Sequence, residues 1–193
     1  MKYLALAVAV GLCAAAPAFC EAVNPLESAV LMKKAINEVG IAYSFYGQNF
    51  TQKTMKDPEI PGGQFVRVDV SQKGSHPWDV GAQYAVTKPI KSGDVVFFAL
   101  FARAPNLKDG ESITISGVGV GQAEAPYGSI AMTEIRLTNR WNVYYASAKA
   151  TSAAPRGQAR ASLQLAGDKQ VVDLGALIVL DLGPDYDMST LPS

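Results

Sequence analysis

The chain has 193 residues, of which 17 are basic, 17 acidic, one is histidine and two are cysteine. The opposite charges are interspersed, so no extended field of one sign exists to draw in nucleic acid or an anionic membrane, and both partners are excluded. The length indicates one domain.

Residues 1–22 read as a signal peptide, with Lys2 as the positive start, Leu4 to Ala16 as the apolar stretch and small residues after it. Cleavage after Ala18 and after Ala22 both fit, and Ala22 is preferred; neither Cys13 nor Cys20 is preceded by a lipoprotein box. Both cysteines fall in this leader. The remaining chain of about 170 residues is then expected to fold without disulfides and to carry no cysteine nucleophile or cysteine metal site. No later segment reaches the roughly 18 apolar residues of a membrane span. The expectation is a secreted or periplasmic protein with no membrane span.

Residues 23–40 form a lead-in. Leu26, Ala29, Val30, Lys33, Ile36 and Asn37 recur at helical spacing, with Asn24 as N-cap, Pro25 in the first turn and Gly40 as a stop, which predicts one short helix. From Ile41 the period becomes two, and Ile41, Tyr43 and Phe45 mark a first strand. A loop from Gly47 to Gly63 follows, with Pro58, Pro61 and a Gly62-Gly63 turn. Gln64 to Ser71 alternates cleanly, with Val66, Val68 and Val70 on one face and Arg67 and Asp69 on the other.

The most informative run is His76 to Ala104. Val80, Ala82, Tyr84 and Val86 alternate in one strand, Pro89 ends it, and Lys91 to Asp94 supply a turn. Val95 to Ala102 is apolar throughout, which suits a strand buried on both faces of a sandwich core. In Ser112 to Gly121 the apolar parity changes between Ile113/Ile115 and Val118/Val120, so a bulge or sharp bend is expected near Gly117. Strands are then expected over Ser129 to Leu137, Trp141 to Ala148, Gln158 to Ala166 and Val171 to Leu182. About nine strands with helix only near the start indicate an all-β, antiparallel sandwich over residues 41–186, a jelly roll being the favoured topology, with residues 187–193 as a tail.

Catalysis has little to work with. His76 stands alone, no serine sits in a Gly-x-Ser-x-Gly elbow, and Asp79, Asp94 and Glu124 cannot be paired as glycosidase carboxylates from sequence. Binding is better supported. Sugars offer C–H faces and hydroxyls, which call for exposed aromatic rings and planar polar groups. Trp78 at a loop-to-strand junction, Asp79 beside it and Gln83 further along are candidates, although Trp78 could equally plug the sandwich end. Gln122, Glu124 and Tyr127 share one loop and could act as ligands or form an ordinary solvated turn. Arg103 continues the face of Phe97, Ala99 and Phe101, either snorkelling at the rim or pointing into a cleft. Trp141 alternates with Val143 and Tyr145 and reads as a core position. No cofactor is required, but a structural calcium held by Asp173 or Asp181 with backbone carbonyls is conceivable against the alternative of ordinary strand-end aspartates.

The run HPWDVGAQYAVTKPIKSGDVVFFALFARA, then EAPYG, LTNRWNVYYAS and LQLAGDKQVVDLGALIVLDLGPDYDMSTLP, resembles the jelly-roll, galactose-binding-domain-like carbohydrate-binding modules of the family four, nine and twenty-two kind. It is most similar to the module that precedes the catalytic barrel in some family ten endo-xylanases, over roughly Tyr43 to Pro192. The resemblance implies a non-catalytic module that binds a polysaccharide such as xylan or a β-glucan in a cleft across one sheet face or at loop tips, frequently with a structural calcium. The chain stops at Leu191-Pro192-Ser193, where a barrel would begin, so the expected partner enzyme is a separately encoded glycoside hydrolase. The alternative is a structural or protein-interaction sandwich of the cell envelope that binds no sugar.

Overall fold

Residues 32–192 are described in the computed structural model; the expected signal peptide and the first part of the expected helix lie outside them. Ten strands follow in order: β1 (Ser44–Gly47), β2 (Phe50–Lys56), β3 (Gln64–Val70), β4 (Val80–Ala85), β5 (Val95–Arg103), β6 (Ile113–Gln122), β7 (Ser129–Leu137), β8 (Asn142–Lys149), β9 (Ala159–Gln164) and β10 (Gln170–Gly183). They pair antiparallel in two five-stranded sheets, β1-β4-β9-β6-β7 and β2-β3-β10-β5-β8. The all-β sandwich read from the sequence is therefore the architecture. Among the described residues no helix is long and apolar enough to cross a membrane.

Alternation explains which side chains meet between the sheets. Val66, Val68 and Val70 of β3, Phe98, Leu100 and Ala102 of β5, and Leu174, Leu177 and Val179 of β10 pack against Ala82 and Tyr84 of β4, Val118 and Val120 of β6, and Ala161 and Leu163 of β9. The parity change in β6 is a register shift between Ile115 and Val118, as its sequence requires. β5 is buried on both faces because the second sheet has a further apolar layer outside it. There Val95, Phe97 and Ala99 join Ile178, Leu180 and Leu182 of β10 beneath Ala35, Tyr186, Met188 and Leu191. Removal of that apolar area from water is the main force holding these segments down.

Two expectations change. The predicted helix does not continue through the lead-in. Ala35 bridges Leu180 and Gly40 bridges Leu177, with hydrogen bonds from Ile36 N–H to Val179 O (2.9 Å) and Asp181 N–H to Lys34 O (3.0 Å). The reason is that β3 pairs with β10 only as far as Leu174, and the rest of that edge of β10 needs backbone partners. Secondly, β2 lies inside the segment expected to be a loop.

At the far end of β10, Asp181 approaches Asp94. Burial raises the Asp181 pKa first and the Asp94 charge adds to it, against the Gly183 N–H and Lys34. A carboxyl whose folded pKa is raised contributes stability that is complete below its unfolded value, about 4, and is lost as pH rises through the folded value. Asp181→Asn is accordingly expected to raise the melting temperature at pH 7, with the gain shrinking as pH falls towards 4; thermal unfolding across pH 3.5–8 checks this. A constant or absent gain would remove the carboxyl pair as its source.

Candidate functional site: the open face of the first sheet

The two outer faces of the sandwich differ. On the second sheet the half not under Ala35 and Tyr186 to Leu191 is closed by Trp141, whose ring lies parallel to Phe101 at 5.0 Å and edge-on to Phe65 at 5.2 Å. Its Nε1–H donates to Asp57 (3.3 Å), and the Arg103 guanidinium lies 4.6 Å from the ring centroid. Beneath this lid Asp173, fully buried, accepts from Arg67 Nε (2.6 Å) and Nη2 (2.8 Å) and from Arg103 Nε (2.7 Å). The Asp173 hydrogen bond is also what raises the Arg67 pKa.

The first sheet has an uncovered, polar outer face. Strand register assembles it in three rows. Tyr46, Gly81, Gln164 and Gly117 form the first; Ser44, Gln83, Ser162, Gly119 and Met132 the second; Ala85, Arg160 and Gly121 the third. Glycine is needed in the floor because larger side chains cross it. A Cβ on Gly81 would meet the Tyr46 ring, and one on Gly117 would meet the Gln164 amide. Half-burial in this position raises the Tyr46 pKa. Five strands at about 4.8 Å make the face about 19 Å wide, while three rows two residues apart make it about 13 Å along the strands. Its long axis therefore runs across the strands.

An exposed aromatic stands at each side. Trp78, 53% exposed, lies in a 3-10 turn (Pro77–Asp79) that packs on β6 and β9 where Gln164 and Gly117 lie. Asp79 caps the turn by accepting from His76 N–H (2.9 Å), Ala166 N–H donates to Pro77 O (2.9 Å), and the His76 and Trp78 rings stack at 4.5 Å. On the other side, beyond Arg160 and Gly121, the β6–β7 loop is closed by Gln122 N–H to Gly128 O (2.8 Å) and Tyr127 N–H to Glu124 O (2.9 Å). Tyr127 is 72% exposed and has φ +54°.

Of the residues singled out by sequence, Trp78, Gln83, Gln122, Glu124 and Tyr127 thus belong to one sheet and its two borders, and Trp78 is not a core plug. Asp79 sits beside Trp78 with its carboxylate engaged by the cap. Arg103 does not join them: β5 belongs to the other sheet, and Asp173 holds it there. Asp173 and Asp181, each offered as a calcium ligand with backbone carbonyls, lie eight residues, about 26 Å, apart on β10. The Asp173 charge is already met by two guanidiniums. Among the described residues no three His, Cys, Asp or Glu side chains cluster as metal ligands. Sequence reasoning missed Tyr46 and Gln164. Gln164, Ser162 and Arg160 have outward parity on β9, but parity alone does not say which outer face stays open.

No protein-family model and no curated protein matches the sequence. Solved structures do. An arabinose-bound GH51 α-L-arabinofuranosidase aligns with TM-score 0.54 and 16% identity over 84% of this chain and 27% of its own. A CBM4 module aligns with TM-score 0.53 and 12% identity over 78% of this chain and 99% of its own. The CBM22-1–GH10 modules of Clostridium thermocellum endo-1,4-β-D-xylanase 10B, complexed with xylohexaose, align with TM-score 0.52 and 10% identity over 77% of this chain and 29% of theirs. The chain thus spans little more than a quarter of the two enzyme chains but nearly all of the CBM4 module. At these identities the likeness is one of fold, and the fold is the β-sandwich of carbohydrate-binding modules.

Proposed function

We propose that the protein is an exported, non-catalytic carbohydrate-binding module that holds a plant-type polysaccharide, xylan or a β-glucan, across the open face of the first sheet. The observation that carries this reading is the glycine-floored face itself, set with a tyrosine, two amides, two serine hydroxyls and a guanidinium in register and bordered by exposed Trp78 and Tyr127. Amides and guanidinium supply the directional donors and acceptors that hydroxyls need, and aromatic rings pack on C–H faces. On the outward positions of these strands Glu134 of β7, opposite Gly117, carries a carboxylate, whereas hydrolysis of a glycoside requires two flanking the bond. A separately encoded glycoside hydrolase acting on the same polymer is the natural partner.

The test is intrinsic fluorescence during titration with xylan, mixed-linkage glucan and mannan oligosaccharides. Trp78 and Trp141 are the only tryptophans, and Trp141 is shielded under its stack, so a saturable shift with one sugar that vanishes in Trp78→Phe is expected. Gln83→Ala should weaken binding by about 0.5–1.5 kcal/mol, roughly two- to twelve-fold. No change with any of the three sugars, in folded protein, overturns the proposal.

A further inference from the structure

A second polar concavity lies at one end of the sandwich. The β1–β2 link passes from the first sheet to the second, and the β3–β4 link passes back at the same end, since Gly47 pairs with Val80. The links are tied together by Ser71, whose N–H and Oγ both donate to Asn49 O at 2.9 Å. Between them is a groove of about 350 Å³ lined by Gln48, Asn49, Gln72, Lys73, Ser75 and Asp79. That volume is at the lower end of the range small-ligand sites occupy, about 300–1,000 Å³.

The polar side chains of the groove are solvent-exposed and available to a ligand. The side chains of Gln48, Asn49, Gln72, Lys73 and Ser75 make no hydrogen bond or ion pair with the described residues, so the fold does not use the donors and acceptors gathered there. The backbone around the groove is also close-packed. Gly47 has φ +113°, and a Cβ there would run into the Asp79 carbonyl, while one on Gly74 would lie 2.8 Å from Asp79 Oδ2 and 2.9 Å from Ala166 Cβ. Asn49 is held at φ +60°; among the described residues the other non-glycine residue with positive φ is Tyr127, on the border of the open face. Such conformations cost free energy and persist where surrounding structure enforces them, often at ligand sites.

We infer that this groove is a second sugar site, separate from the sheet face, that takes one or two neutral sugar rings. Three amides, an ammonium and a hydroxyl suit a polyhydroxylated ligand. Lys73 and Asp79 offset one another, which favours a neutral ring over an anionic one. Trp78 is not part of the groove's lining, so its role at the border of the sheet face is separate from this site. The inference rests on the carbohydrate-binding reading and adds valency to it. Two sites on one chain join two polysaccharide chains, and simultaneous engagement raises avidity on a polymer without any new contact.

Calorimetric titration with xylohexaose, a mixed-linkage glucohexaose and mannohexaose separates the two claims. The expected result is two sites per chain for one of these sugars. The double variant Gln72→Ala, Lys73→Ala should weaken one site at least ten-fold and leave the other. The double variant Gln83→Ala, Gln164→Ala should do the converse, and either should abolish turbid cross-linking of the matching polymer. A single site lost only in the Gln83, Gln164 variant overturns the second site and leaves the proposed function standing. A single site lost only in the Gln72, Lys73 variant keeps the groove and overturns the sheet-face reading. No binding of any of the three sugars to folded protein overturns both.

Discussion

Replacing Arg67 and Arg103 together by methionine is expected to lower folding stability by about 3–5 kcal/mol, because it strands a fully buried carboxylate. Both oxygens of Asp173 are satisfied by the two guanidiniums, and its side chain has no exposed surface on which water could take their place. Methionine keeps the length and apolar stem of arginine, so the loss isolates charge and hydrogen bonding from packing. Each single replacement should cost less, since one guanidinium remains. The two single losses should be of similar size, because the Arg67 variant loses two of the three hydrogen bonds to Asp173, whereas the Arg103 variant loses one together with the contact over the Trp141 ring, worth about 0.5–2 kcal/mol. Adding Asp173→Leu to the double variant should recover most of the loss, since an apolar replacement of a buried ion cluster is often neutral or stabilising. Urea unfolding reads all four variants as shifts in midpoint at constant slope. A double variant as stable as the parent would show that Asp173 does not depend on this clamp.

Phe97→Ala is expected to cost a similar amount, about 3–5 kcal/mol, with a different signature. Phe97 has no exposed surface, stacks on Tyr145 at 5.7 Å, and lies in the layer beneath Tyr186, Met188 and Leu191 rather than between the sheets. Its removal therefore loosens the segment after Gly183 before it loosens the sandwich. Limited proteolysis should cut that segment in Phe97→Ala under conditions where Phe98→Ala, a comparable truncation in the inter-sheet core, leaves it intact. Equal cleavage in the two variants would mean that the tail is held by something other than this layer.

Several features are legible in the amino-acid order because they depend on near neighbours. The alternation of Val66, Val68 and Val70, the uninterrupted apolar run of β5, the inward Ala161 and Leu163 of β9 and the parity change at Gly117 are all expressed within a few residues, and each has its counterpart in the sheets. β2 is not legible in this way. FTQKTMK is an edge strand with most side chains exposed, so neither face imposes an apolar period. The lead-in carries helical spacing, yet from Ala35 it follows β10, because an unpaired backbone edge in the sheet outweighs a weak local preference.

The candidate site divides along the same line. Local pattern suffices to establish an antiparallel sandwich, to turn Gln83, Ser162 and Gln164 outward from their strands, and to put Trp78 and Tyr127 at strand ends. Which outward residues share a surface, and which surface stays open, follows from the assembled sheets and from nothing shorter in range. The order β1-β4-β9-β6-β7 brings Gln83 beside Ser162 across a long sequence separation, and Trp141, read from its alternation as a core position, lies instead with Arg103 in the lid on the outer face of the other sheet. Alternation specifies a side of one strand, but strand order and the cover over each sheet depend on contacts between distant segments, and those have no local period to read.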